Sequence, residues 1–515
     1  MPRFLVLLLL GFLAGCAVLP ENAQQPSYCC MDGDDGLLAR IWREAPERKP
    51  DQSAMLLLDK GLDAFVARAV LAQLAEKSID TQYYMIHGDH VGSLFAYELW
   101  KAAQRGVHVR ILLDDIDEGD RDLDIARFDA HPNIEVRIFN PFGRNVGRIW
   151  QYVTGFGRQT RRAHNKSFTV DAQATILGGR NIGDEYFSRD PDLEFQDLDV
   201  LALGPVAKEV SHSFDEYWNS PLSYPIRVLL DDDQAEGDLH ALNERLERKY
   251  AQLHDSIYLK RLRASTLAQE IRNRQLPWVW APAELHADPP EKLAHRVGDE
   301  QYQMFRELKP YLENAREELI LLSPYFVPGK EGVNFLRRLR KKGVRVRILT
   351  NSLASTDVSI VHAGYMRYRK DLLRAGVELY ELNKLTPSRD RKLKRKGRIG
   401  QSKSSLHAKA FVVDRRVLFV GSLNLDPRSV SQNTEMGLVI RSADLAGTVA
   451  SAYDKEIETA AFRLELKEAD SGREQLLWHG YVDGKPVTYS EEPMTGFLRR
   501  LAVGLLRWLP IESQI

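Results

Sequence analysis

Cysteine is almost absent from this chain. The 515 residues include three cysteines, and all of them lie near the N-terminus, at Cys16, Cys29 and Cys30. A disulfide framework therefore does not support the rest of the fold. Metal-binding clusters of the H-x-x-x-H or C-x-x-C type are also lacking, and histidines that stand beside lysines repel a cation. The sequence predicts neither a disulfide scaffold nor a metal or other cofactor.

Neither sign of charge predominates. Lysine and arginine total 71, aspartate and glutamate total 72, and the formal net charge is −1. Because no global basic field attracts polyanions, nucleic acid is not an expected partner. Anion binding must come from local segregation of charge, and two basic segments provide it. Their basic residues are Arg144, Arg148, Arg158, Arg161 and Arg162 in the first segment and Arg389, Arg391, Lys392, Lys394, Arg395, Lys396 and Arg398 in the second.

A long apolar run is lacking as well. The apolar stretch that begins at Phe4 covers about 16 residues even when it is extended to Leu19, whereas about 20 are needed to cross a bilayer. Its end, the sequence Leu-Ala-Gly-Cys that closes at Cys16, is typical of a secretory signal with a small-residue cleavage site. It resembles a bacterial lipoprotein signal, which predicts removal of residues 1–15, lipidation of Cys16 and a lipoprotein anchored in the inner or outer membrane and facing the periplasm. An uncleaved anchor or a misassigned start is the alternative.

What the chain has instead is one polar pattern that occurs twice. The segment from His164 to Asp171 and the segment from His407 to Asp414 both read H-x-K-x-x-x-x-D. Counted from each histidine, a lysine stands at +2, an aspartate at +7, a glycine at +14 and an asparagine at +17. The matching positions are Lys166 and Lys409, Asp171 and Asp414, Gly178 and Gly421, and Asn181 and Asn424. A repeat that keeps polar residues in register while the apolar residues between them drift indicates a functional site.

Helix and strand patterns are repeated in the same order around the two motifs. Apolar segments predict strands at 107–113 and 344–349, and again at 134–139 and 377–382. The sequence therefore predicts an α/β protein with two duplicated α/β/α domains, related by pseudo-twofold symmetry, and one active site at their interface. The predicted boundaries are 1–15 for the signal peptide, 16–52 for a tether, 53–232 for the first domain, 233–300 for a helical insertion packed on the outside, 301–470 for the second domain and 471–515 for an amphipathic C-terminal tail.

Two histidines and two lysines are suited to phosphodiester chemistry. The lysines supply cations for the non-bridging oxygens without a metal, and each preorganised donor of this kind contributes on the order of 3 kcal/mol in the transition state. Asn181 and Asn424 can donate amide hydrogen bonds to the same oxygens. One histidine can attack phosphorus while the other protonates the leaving group, which divides one difficult displacement into two easier ones. The two roles require opposite protonation states, so both histidines are needed.

A histidine nucleophile also needs a carboxylate on its other ring nitrogen. Asp197 and Glu435 follow the histidines of their own copies at +33 and +28, at equivalent strand positions. We predict that His164 is the nucleophile, oriented by Asp197, and that His407 is the general acid, oriented by Glu435. Pairing across the domain interface and the reverse assignment of roles stay open.

For several other residues, the sequence is compatible with either a catalytic or a structural role. Asp171 and Asp414 belong to the motif, yet they stand seven residues from the histidine across a strand and are expected to brace the hairpin. The sequence does not decide whether four aromatic residues line a substrate pocket or belong to the core: Tyr83, Tyr84, His362 and Tyr365.

The doubled motif resembles the phospholipase D superfamily, whose members carry two HKD motifs. Residues 178–184, 323–328, 362–365 and 433–437 resemble the bacterial cardiolipin synthase C group. The resemblance implies a bilobal α/β fold, a phosphohistidine intermediate, no metal, and transfer of a phosphatidyl group to phosphatidylglycerol from phosphatidylethanolamine or a second phosphatidylglycerol. It leaves open a phospholipase D hydrolase that releases phosphatidic acid, a phosphodiesterase or nuclease, and an inactive lipid-binding lipoprotein.

Two further features indicate contact with a membrane surface. The basic segments before both motifs are suited to hold anionic headgroups, at roughly 1 kcal/mol per cation near a membrane, although solvated loops have the same composition. The stretch 497–509 is short, basic and amphipathic. Such a stretch either lies in a membrane interface or docks as a terminal helix. A phospholipid membrane is therefore the expected partner.

Overall fold

The computed structural model describes most of the chain. The described residues are 19–22, 25–29, 36–116, 121–144, 147–148, 151, 159–189, 193–230, 239–254, 256–273, 275–385, 403–468 and 472–508. The predicted signal peptide with Cys16, and the second basic segment from 389 to 398, lie outside these residues.

Helices and strands alternate along the chain. The helices are α1 (Leu37–Glu44), α2 (Gly61–Leu74), α3 (His90–Gln104), α4 (Asp122–Asp129), α5 (Pro205–Trp218), α6 (Leu239–His254), α7 (Ile257–Arg263), α8 (Thr266–Asn273), α9 (Met304–Glu313), α10 (Gly329–Lys341), α11 (Ser359–Tyr365), α12 (Arg369–Arg374), α13 (Pro427–Ser431), α14 (Ala443–Ala460) and α15 (Phe497–Leu506). The strands are β1 (Ser53–Leu58), β2 (Ser78–Tyr83), β3 (His108–Asp114), β4 (Ile134–Phe139), β5 (Ser167–Val170), β6 (Ala174–Gly178), β7 (Leu193–Gln196), β8 (Asp199–Leu203), β9 (Ser223–Pro225), β10 (Val279–Ala281), β11 (Ala283–Ala287), β12 (Glu318–Leu322), β13 (Arg345–Asn351), β14 (Glu378–Leu382), β15 (Lys403–Leu406), β16 (Ala410–Val413), β17 (Val417–Gly421), β18 (Met436–Arg441), β19 (Ala461–Glu468), β20 (Glu474–Val482) and β21 (Lys485–Tyr489).

Two large sheets share one topology. Among the described residues, the first has nine strands in the order β10-β1-β8-β6-β5-β2-β3-β4-β9, and the second has ten in the order β11-β18-β17-β16-β12-β13-β14-β19-β20-β21. In each, three parallel strands (β2, β3 and β4, or β12, β13 and β14) continue into antiparallel ones. The run from β1 to β4 in the first sheet matches the run from β11 to β14 in the second, strand by strand. The predicted α/β duplication is confirmed.

Matching glycines end the helices that connect the parallel strands. Gly106 follows α3 and Gly343 follows α10, with φ of 95° and 91°. Their amides donate to the carbonyls of Ala103 and Arg340, both at 3.0 Å. Glycine adopts this left-handed conformation without a steric penalty from a Cβ atom. Each helix can therefore turn directly into the next buried strand.

An apolar layer joins the two sheets. Two large clusters form the interiors of the separate domains. A third cluster takes Leu177 and Val200 from the first sheet and Leu418 and Leu438 from the second. Helices α5 and α14 contribute to the same cluster. The domains are thus held in one fixed relation, and residues at the ends of β5, β8, β16 and β18 can face each other.

Two predicted segments differ from the structure in their extent. The segment 233–300 was expected to pack on the outside, and α6 does pack against α3 there. Its last part, however, supplies β10 to the first sheet and β11 to the second. The segment 471–515 was expected to be a tail, yet it contains β20 and β21 at the edge of the second sheet. These strands are short or partly exposed, so their apolar pattern is weak.

Candidate active site

The two motif segments meet at the contact between the domains. His164 lies just before β5, and His407 lies just before β16. The exposed fractions are 9% for His164 and 6% for His407, so both rings are nearly enclosed by protein. Each histidine therefore sits at the start of a central antiparallel strand, beside the seam that joins the sheets.

Backbone hydrogen bonds tie each histidine segment to the opposite domain. The His164 amide donates to the Thr434 carbonyl at 2.9 Å, and Ala163 forms an isolated β-bridge with Thr434. The His407 amide donates to the Gln196 carbonyl at 2.8 Å, directly after the parallel pair of β7 and β15. In both cases the residue that directly follows the accepting carbonyl, Glu435 or Asp197, carries the carboxylate of the other copy.

The carboxylates consequently pair across the seam. Nδ1 of His164 lies 2.8 Å from Oε2 of Glu435, and Nδ1 of His407 lies 2.6 Å from Oδ2 of Asp197. The predicted pairing within each copy, His164 with Asp197 and His407 with Glu435, is wrong. The backbone bridges are the reason, since they bring each carboxylate against the histidine of the other domain. The pairing leaves Nε2 of both rings as the atom available to a substrate.

The glycine at +14 in each copy permits this arrangement. A Cβ atom on Gly178 would lie 2.5 Å from the Leu198 carbonyl oxygen, and one on Gly421 would lie 2.3 Å from the Met436 carbonyl oxygen. These carbonyls are adjacent in sequence to Asp197 and Glu435. A larger residue would push the carboxylate-bearing strand away from the site.

The residue after that glycine differs between the copies. A Cβ atom on Gly179 would lie 2.2 Å from Oδ1 of Asp197, so only glycine leaves room for this carboxylate. The second copy has Ser422, whose hydroxyl donates to Oε2 of Glu435 at 2.5 Å. Sequence reasoning missed Ser422, although its place directly after the repeated glycine was a usable signal.

Both motif lysines are buried within the same site. Nζ of Lys166 donates to the His164 carbonyl at 2.6 Å, and Nζ of Lys409 donates to the His407 carbonyl at the same distance. Desolvation lowers the pKa of Lys409 to about 8 and lowers the pKa of Lys166 well below its usual value. A bound phosphodiester anion would favour the charged form of both ammonium groups.

Burial lowers the pKa of both histidines. Desolvation is the largest cause for His164, followed by repulsion from Lys166 and Lys409, and its pKa lies well below the usual value. Desolvation and Lys409 also lower the pKa of His407, while Asp197 opposes the change. Burial and the two lysines thus favour the neutral form of His164, whereas Asp197 favours the protonated form of His407.

The two carboxyl groups differ in charge. Burial alone raises the pKa of Asp197, but attraction by His407, their hydrogen bond and the charge of Lys409 bring it to about 2. Burial raises the pKa of Glu435 to about 7, which Lys166 and the Ser422 hydroxyl only partly offset. His407 and Lys409 thus favour the ionised form of Asp197, whereas burial favours the neutral form of Glu435.

The sequence profile described as "Cardiolipin synthase, PLD-like domain" matches residues 70–218 and 308–459. Each matched segment contains one of the two motifs. The chain belongs to the phospholipase D-like family.

Known proteins support the same conclusion. Cardiolipin synthase C of Escherichia coli (strain K12) is 41% identical over 466 residues, which are 90% of this chain and 96% of that protein. An uncharacterized protein of Helicobacter pylori (strain ATCC 700392 / 26695) is 33% identical over 523 residues, or 99% of each chain. A crystal structure of phosphatidylserine synthase from Haemophilus influenzae Rd KW20 matches with a TM-score of 0.52 and 13% identity, over 79% of this chain and 89% of that chain. The last likeness shows a shared fold.

In this phospholipase D-like site, the two asparagines at +17 occupy equivalent positions. Nδ2 of Asn181 donates to the Tyr186 hydroxyl at 2.9 Å, and Nδ2 of Asn424 donates to the Ser429 hydroxyl at 3.4 Å. The buried Oδ1 of each has no hydrogen-bond partner among the described residues. Because the oxygen and nitrogen of an amide exchange by a half-turn, each group can accept from its hydroxyl and offer its NH₂ to a phosphate oxygen.

The motif aspartates lie at the far ends of their strands from the histidines. Asp171 accepts from the amides of Glu76, Lys77 and Ser78 at 2.8 to 3.0 Å. Asp414 accepts in the same way from residues 316–318. They brace the hairpin turns against the starts of β2 and β12, as expected.

Aromatic rings enclose the histidines. The Tyr84 ring lies 5.0 Å from the His164 ring, and the rings of Tyr186 and Phe195 each lie 5.1 Å from His407. Tyr83, one residue away from Tyr84, points into the core instead and is 1% exposed. Of the two strand tyrosines, then, one lines the site; Tyr186 and Phe195 carried no motif that would have identified them.

His362 and Tyr365 belong to a different buried cluster. Nε2 of His362 lies 2.5 Å from the Arg369 guanidinium, which also contacts Glu492 at 2.5 Å and Glu381 at 3.0 Å. The Arg369 guanidinium lies over the Tyr365 ring at 4.9 Å. These residues form a charged centre under β20, and the contacts support the structural interpretation.

The described arginines of the first basic segment are engaged within the protein. Arg144 pairs with Asp115 and Asp122, and Arg148 pairs with Asp115 at 2.7 Å. Arg161 donates to main-chain carbonyls, and the buried Arg162 lies 3.4 Å from Asp114. These contacts give the four arginines a structural role within the protein, and the suggestion that they hold anionic headgroups stays a prediction; Arg158 lies outside the described residues.

Among the residues that the structure describes, one group of three side chains could hold a metal ion. His87, Asp89 and Glu185 offer ligand atoms within 4.8 Å of one another. Nδ1 of His87 lies 3.2 Å from Oε1 of Glu185 and 4.0 Å from Oδ2 of Asp89. Direct ion pairing accounts for the closeness of these half-buried groups.

Proposed function

We propose that this protein is a phosphatidyltransferase that forms cardiolipin from phosphatidylglycerol and a second phospholipid, through a covalent phosphohistidine. The observation that carries the proposal is the pair of buried histidines, each with a carboxylate from the opposite domain and a lysine of its own motif. This arrangement offers one nucleophile, one acid and two cations to a single phosphodiester. The 41% identity to cardiolipin synthase C of Escherichia coli supports the choice of product.

In the first step, Nε2 of His164 attacks the phosphorus atom of the donor lipid. The bond from phosphorus to the headgroup oxygen breaks, and His407 transfers its proton to that oxygen as the alcohol leaves. Lys166 and Lys409 stabilise the negative charge on the non-bridging oxygens, and such donors typically contribute 10²–10³-fold each.

In the second step, a hydroxyl of phosphatidylglycerol replaces the departed headgroup. His407 now accepts the proton of that hydroxyl, the oxygen attacks phosphorus, and the bond from phosphorus to His164 breaks. The product is cardiolipin, and both histidines return to their initial protonation states. Water in place of the lipid hydroxyl would give phosphatidic acid from the same intermediate.

The different surroundings of the carboxylates support this division of roles. The ionised Asp197 favours an imidazolium at His407, which is the form that a general acid needs. Glu435, with a pKa raised to about 7, gives less stabilisation to a charged His164. His164 therefore remains the better nucleophile.

The donor is proposed to be phosphatidylethanolamine or phosphatidylglycerol, and the protein is proposed to be a lipoprotein anchored through Cys16 and facing the periplasm. No helix among the described residues combines the length and apolar character needed to cross a bilayer. A lipid anchor at the N-terminus would hold the enzyme at the surface where its substrates lie.

The proposal is tested with purified full-length protein and phosphatidylglycerol, with and without phosphatidylethanolamine, followed by mass spectrometry of the lipids. Cardiolipin is the expected product. Ethanolamine release in proportion to cardiolipin would identify phosphatidylethanolamine as the donor, and glycerol release would identify phosphatidylglycerol. Phosphatidic acid as the sole product would replace the transferase with a hydrolase. The His164→Ala protein is the control for background turnover.

A further inference from the structure

Helix α15 exposes an apolar surface near the C-terminal end of the described chain. Phe497, Leu498, Leu501 and Leu505 have exposed fractions of 68%, 78%, 49% and 64%, and Trp508 directly after the helix has 78%. Such a concentration of large apolar side chains on one short helix is rare on a soluble surface, and marks an interaction site. We refer to these five residues as the apolar face.

The helix is nevertheless held firmly on the second domain. Val503 is 2% exposed and packs with Leu353 and Ala363. The Arg499 guanidinium donates to the Thr356 carbonyl and to the Ser359 hydroxyl, both at 3.1 Å. The apolar face is therefore presented outward by a docked helix.

A cationic groove lies beside the apolar face. It has a volume of about 1100 Å³ and runs between α12 and α15. Of its cationic side chains, Arg369 and Arg374 are paired with Glu492 and Glu474, whereas Lys370 and Arg507 lie at the exposed side of the groove. Arg500 pairs with Glu491 at 2.8 Å, whereas the Arg507 guanidinium lies over the exposed Trp508 ring at 5.4 Å. Arginine beside exposed leucine and tryptophan is the composition of helices that lie in a membrane interface.

The same helix is connected to the catalytic site. Arg499 holds residues 356 and 359, and Asp357 lies between them. Asp357 accepts from the Tyr325 hydroxyl at 2.8 Å, and its charge acts on Lys409. Residues 356–359 thus connect α15 with the part of the site that contains Lys409, one of the groups that would bind a lipid phosphate.

We propose that the apolar face and the adjoining groove bind the surface of a membrane that contains anionic phospholipid. The apolar side chains enter the boundary between headgroups and acyl chains, and the exposed Lys370 and Arg507 contact lipid phosphates. A protein partner would more often meet an apolar centre with a neutral polar rim, whereas the exposed Lys370 and Arg507 beside the apolar face match an anionic bilayer. The choice of a lipid surface rests on the proposed function.

Hydrogen exchange of the full-length protein provides the test, because it reports on each segment separately and is not obscured by the N-terminal anchor. The protein is mixed with vesicles of phosphatidylethanolamine and phosphatidylglycerol, or with vesicles of phosphatidylcholine alone. We expect slower exchange at 497–506 and 369–374 with the anionic vesicles, and a smaller change with phosphatidylcholine.

Matched variants test the two parts of the surface. Leu498→Asp with Leu505→Asp should abolish the protection at 497–506, while Ile257→Asp, at a position that is 69% exposed on α7, should not change it. Arg507→Glu removes one positive charge and adds one negative charge, so it should weaken binding to anionic vesicles on the order of thirtyfold, at roughly 1 kcal/mol for each unit of charge. Arg463→Glu, on the exposed side of β19, is the control for charge alone.

Turnover with lipid dispersed in detergent separates this proposal from the proposed function. The Leu498→Asp, Leu505→Asp protein should keep its detergent activity and lose activity on vesicles. Equal protection with both kinds of vesicle, no protection with either, or equal loss with Ile257→Asp would overturn the docking surface while cardiolipin formation stands. Protection without any cardiolipin product would reject the proposed function and leave the docking surface intact.

Discussion

The two histidines differ chiefly in the carboxylate that each one contacts. His407 faces an aspartate whose pKa is about 2, and His164 faces a glutamate whose pKa is about 7. A protein with sequence-level symmetry thus has unequal electrostatics at its two half-sites. Burial is the largest cause of the higher pKa of Glu435, and the Ser422 hydroxyl, which stands where the first copy has Gly179, reduces the difference by donating to this carboxylate.

A trapping experiment separates the two roles. His407→Ala, given a donor lipid analogue whose leaving group needs no proton, should still form a phosphoenzyme, because only the acid is missing. His164→Ala should form none. Both variants should lose at least about 10³-fold in turnover of natural lipid, since neither role has a substitute. Mass spectrometry locates the adduct; a phosphoryl group on His407 would reverse the assignment.

The pairing across the seam predicts different pH profiles for two conservative variants. Asp197 raises the pKa of His407, so Asp197→Asn should lower that pKa and move the loss of activity at high pH toward lower pH. Turnover should also fall about 10²–10⁴-fold, as when a triad carboxylate is neutralised. Glu435→Gln should leave the alkaline limb in place, because its partner is the nucleophile.

The measurement is kcat as a function of pH with detergent-dispersed lipid. If Glu435→Gln moved the alkaline limb and Asp197→Asn did not, His407 could not be the acid oriented by Asp197. Asp199→Asn would be a poor control, because Asp199 pairs with the buried Arg68 at 2.9 Å. Asp215 has the same defect through Arg110, so the exposed Asp124 is the better control position.

Each β-hairpin that carries a motif is attached at its turn by an aspartate. Asp171 has φ of 52° and Asp414 has φ of 50°, a left-handed conformation that aspartate and asparagine adopt more readily than most residues. Their carboxylates also accept hydrogen bonds from backbone amides next to the starts of β2 and β12. The last residue of the HKD motif is thus placed to secure the strand that carries the histidine and lysine at its other end.

Replacement of this aspartate should therefore reduce stability rather than chemistry. Asp171→Ala should lower the free energy of unfolding by about 2 kcal/mol, because it leaves backbone amides without acceptors and adds strain at a positive φ. Asp171→Asn should cost less, since it keeps an acceptor and tolerates the conformation. Thermal denaturation gives the stability, and kcat per folded molecule should stay within about twofold. A collapse of kcat in a fully folded Asp171→Asn protein would return this residue to the catalytic site.

The strands around the motifs were predictable because they are short, apolar and bounded by glycine or aspartate, as in 107–113 and 344–349. The strands β10 and β11 were not, because they are three and five residues long, their side chains are mostly half-buried, and Pro282 interrupts the apolar pattern between them. Likewise, the role of Tyr84 rather than Tyr83 depended on which face of β2 meets the seam. That choice is decided by packing between domains, which local patterns do not report.

The seam between domains accounts for most of what sequence reasoning missed. Spacings of +33 and +28 measure distance along the chain and carry no information on which domain a carboxylate faces. The bridges at Thr434 and Gln196 decide that, and they exist only after the two sheets have packed. The doubled motif, the fold class and the reacting residues were nevertheless accessible, because repetition in register is visible without any structure.

The whole protein should work without a metal ion, since the lysines supply the charge that a metal would otherwise provide. We expect extensive treatment with a chelator to change kcat by less than about twofold. His87→Ala, which removes one member of the His87, Asp89 and Glu185 group, should also retain activity. Loss of activity on chelation, with recovery on adding a divalent cation, would require a role for that group in turnover.

The crossed contacts have a consequence for the origin of the chain. In a twofold homodimer, a residue of one subunit contacts a different residue of its partner, and the same two positions also contact each other with the subunits exchanged. The pairs of His164 with Glu435 and His407 with Asp197 have this form. A single ancestral unit with this surface would build a complete site only by self-association. Once two copies are fused in one chain, their sequences can diverge. One half can then carry Asp197 with Gly179, and the other can carry Glu435 with Ser422. A symmetric dimer has two equal histidines, whereas a fused pair can assign attack to one and protonation to the other.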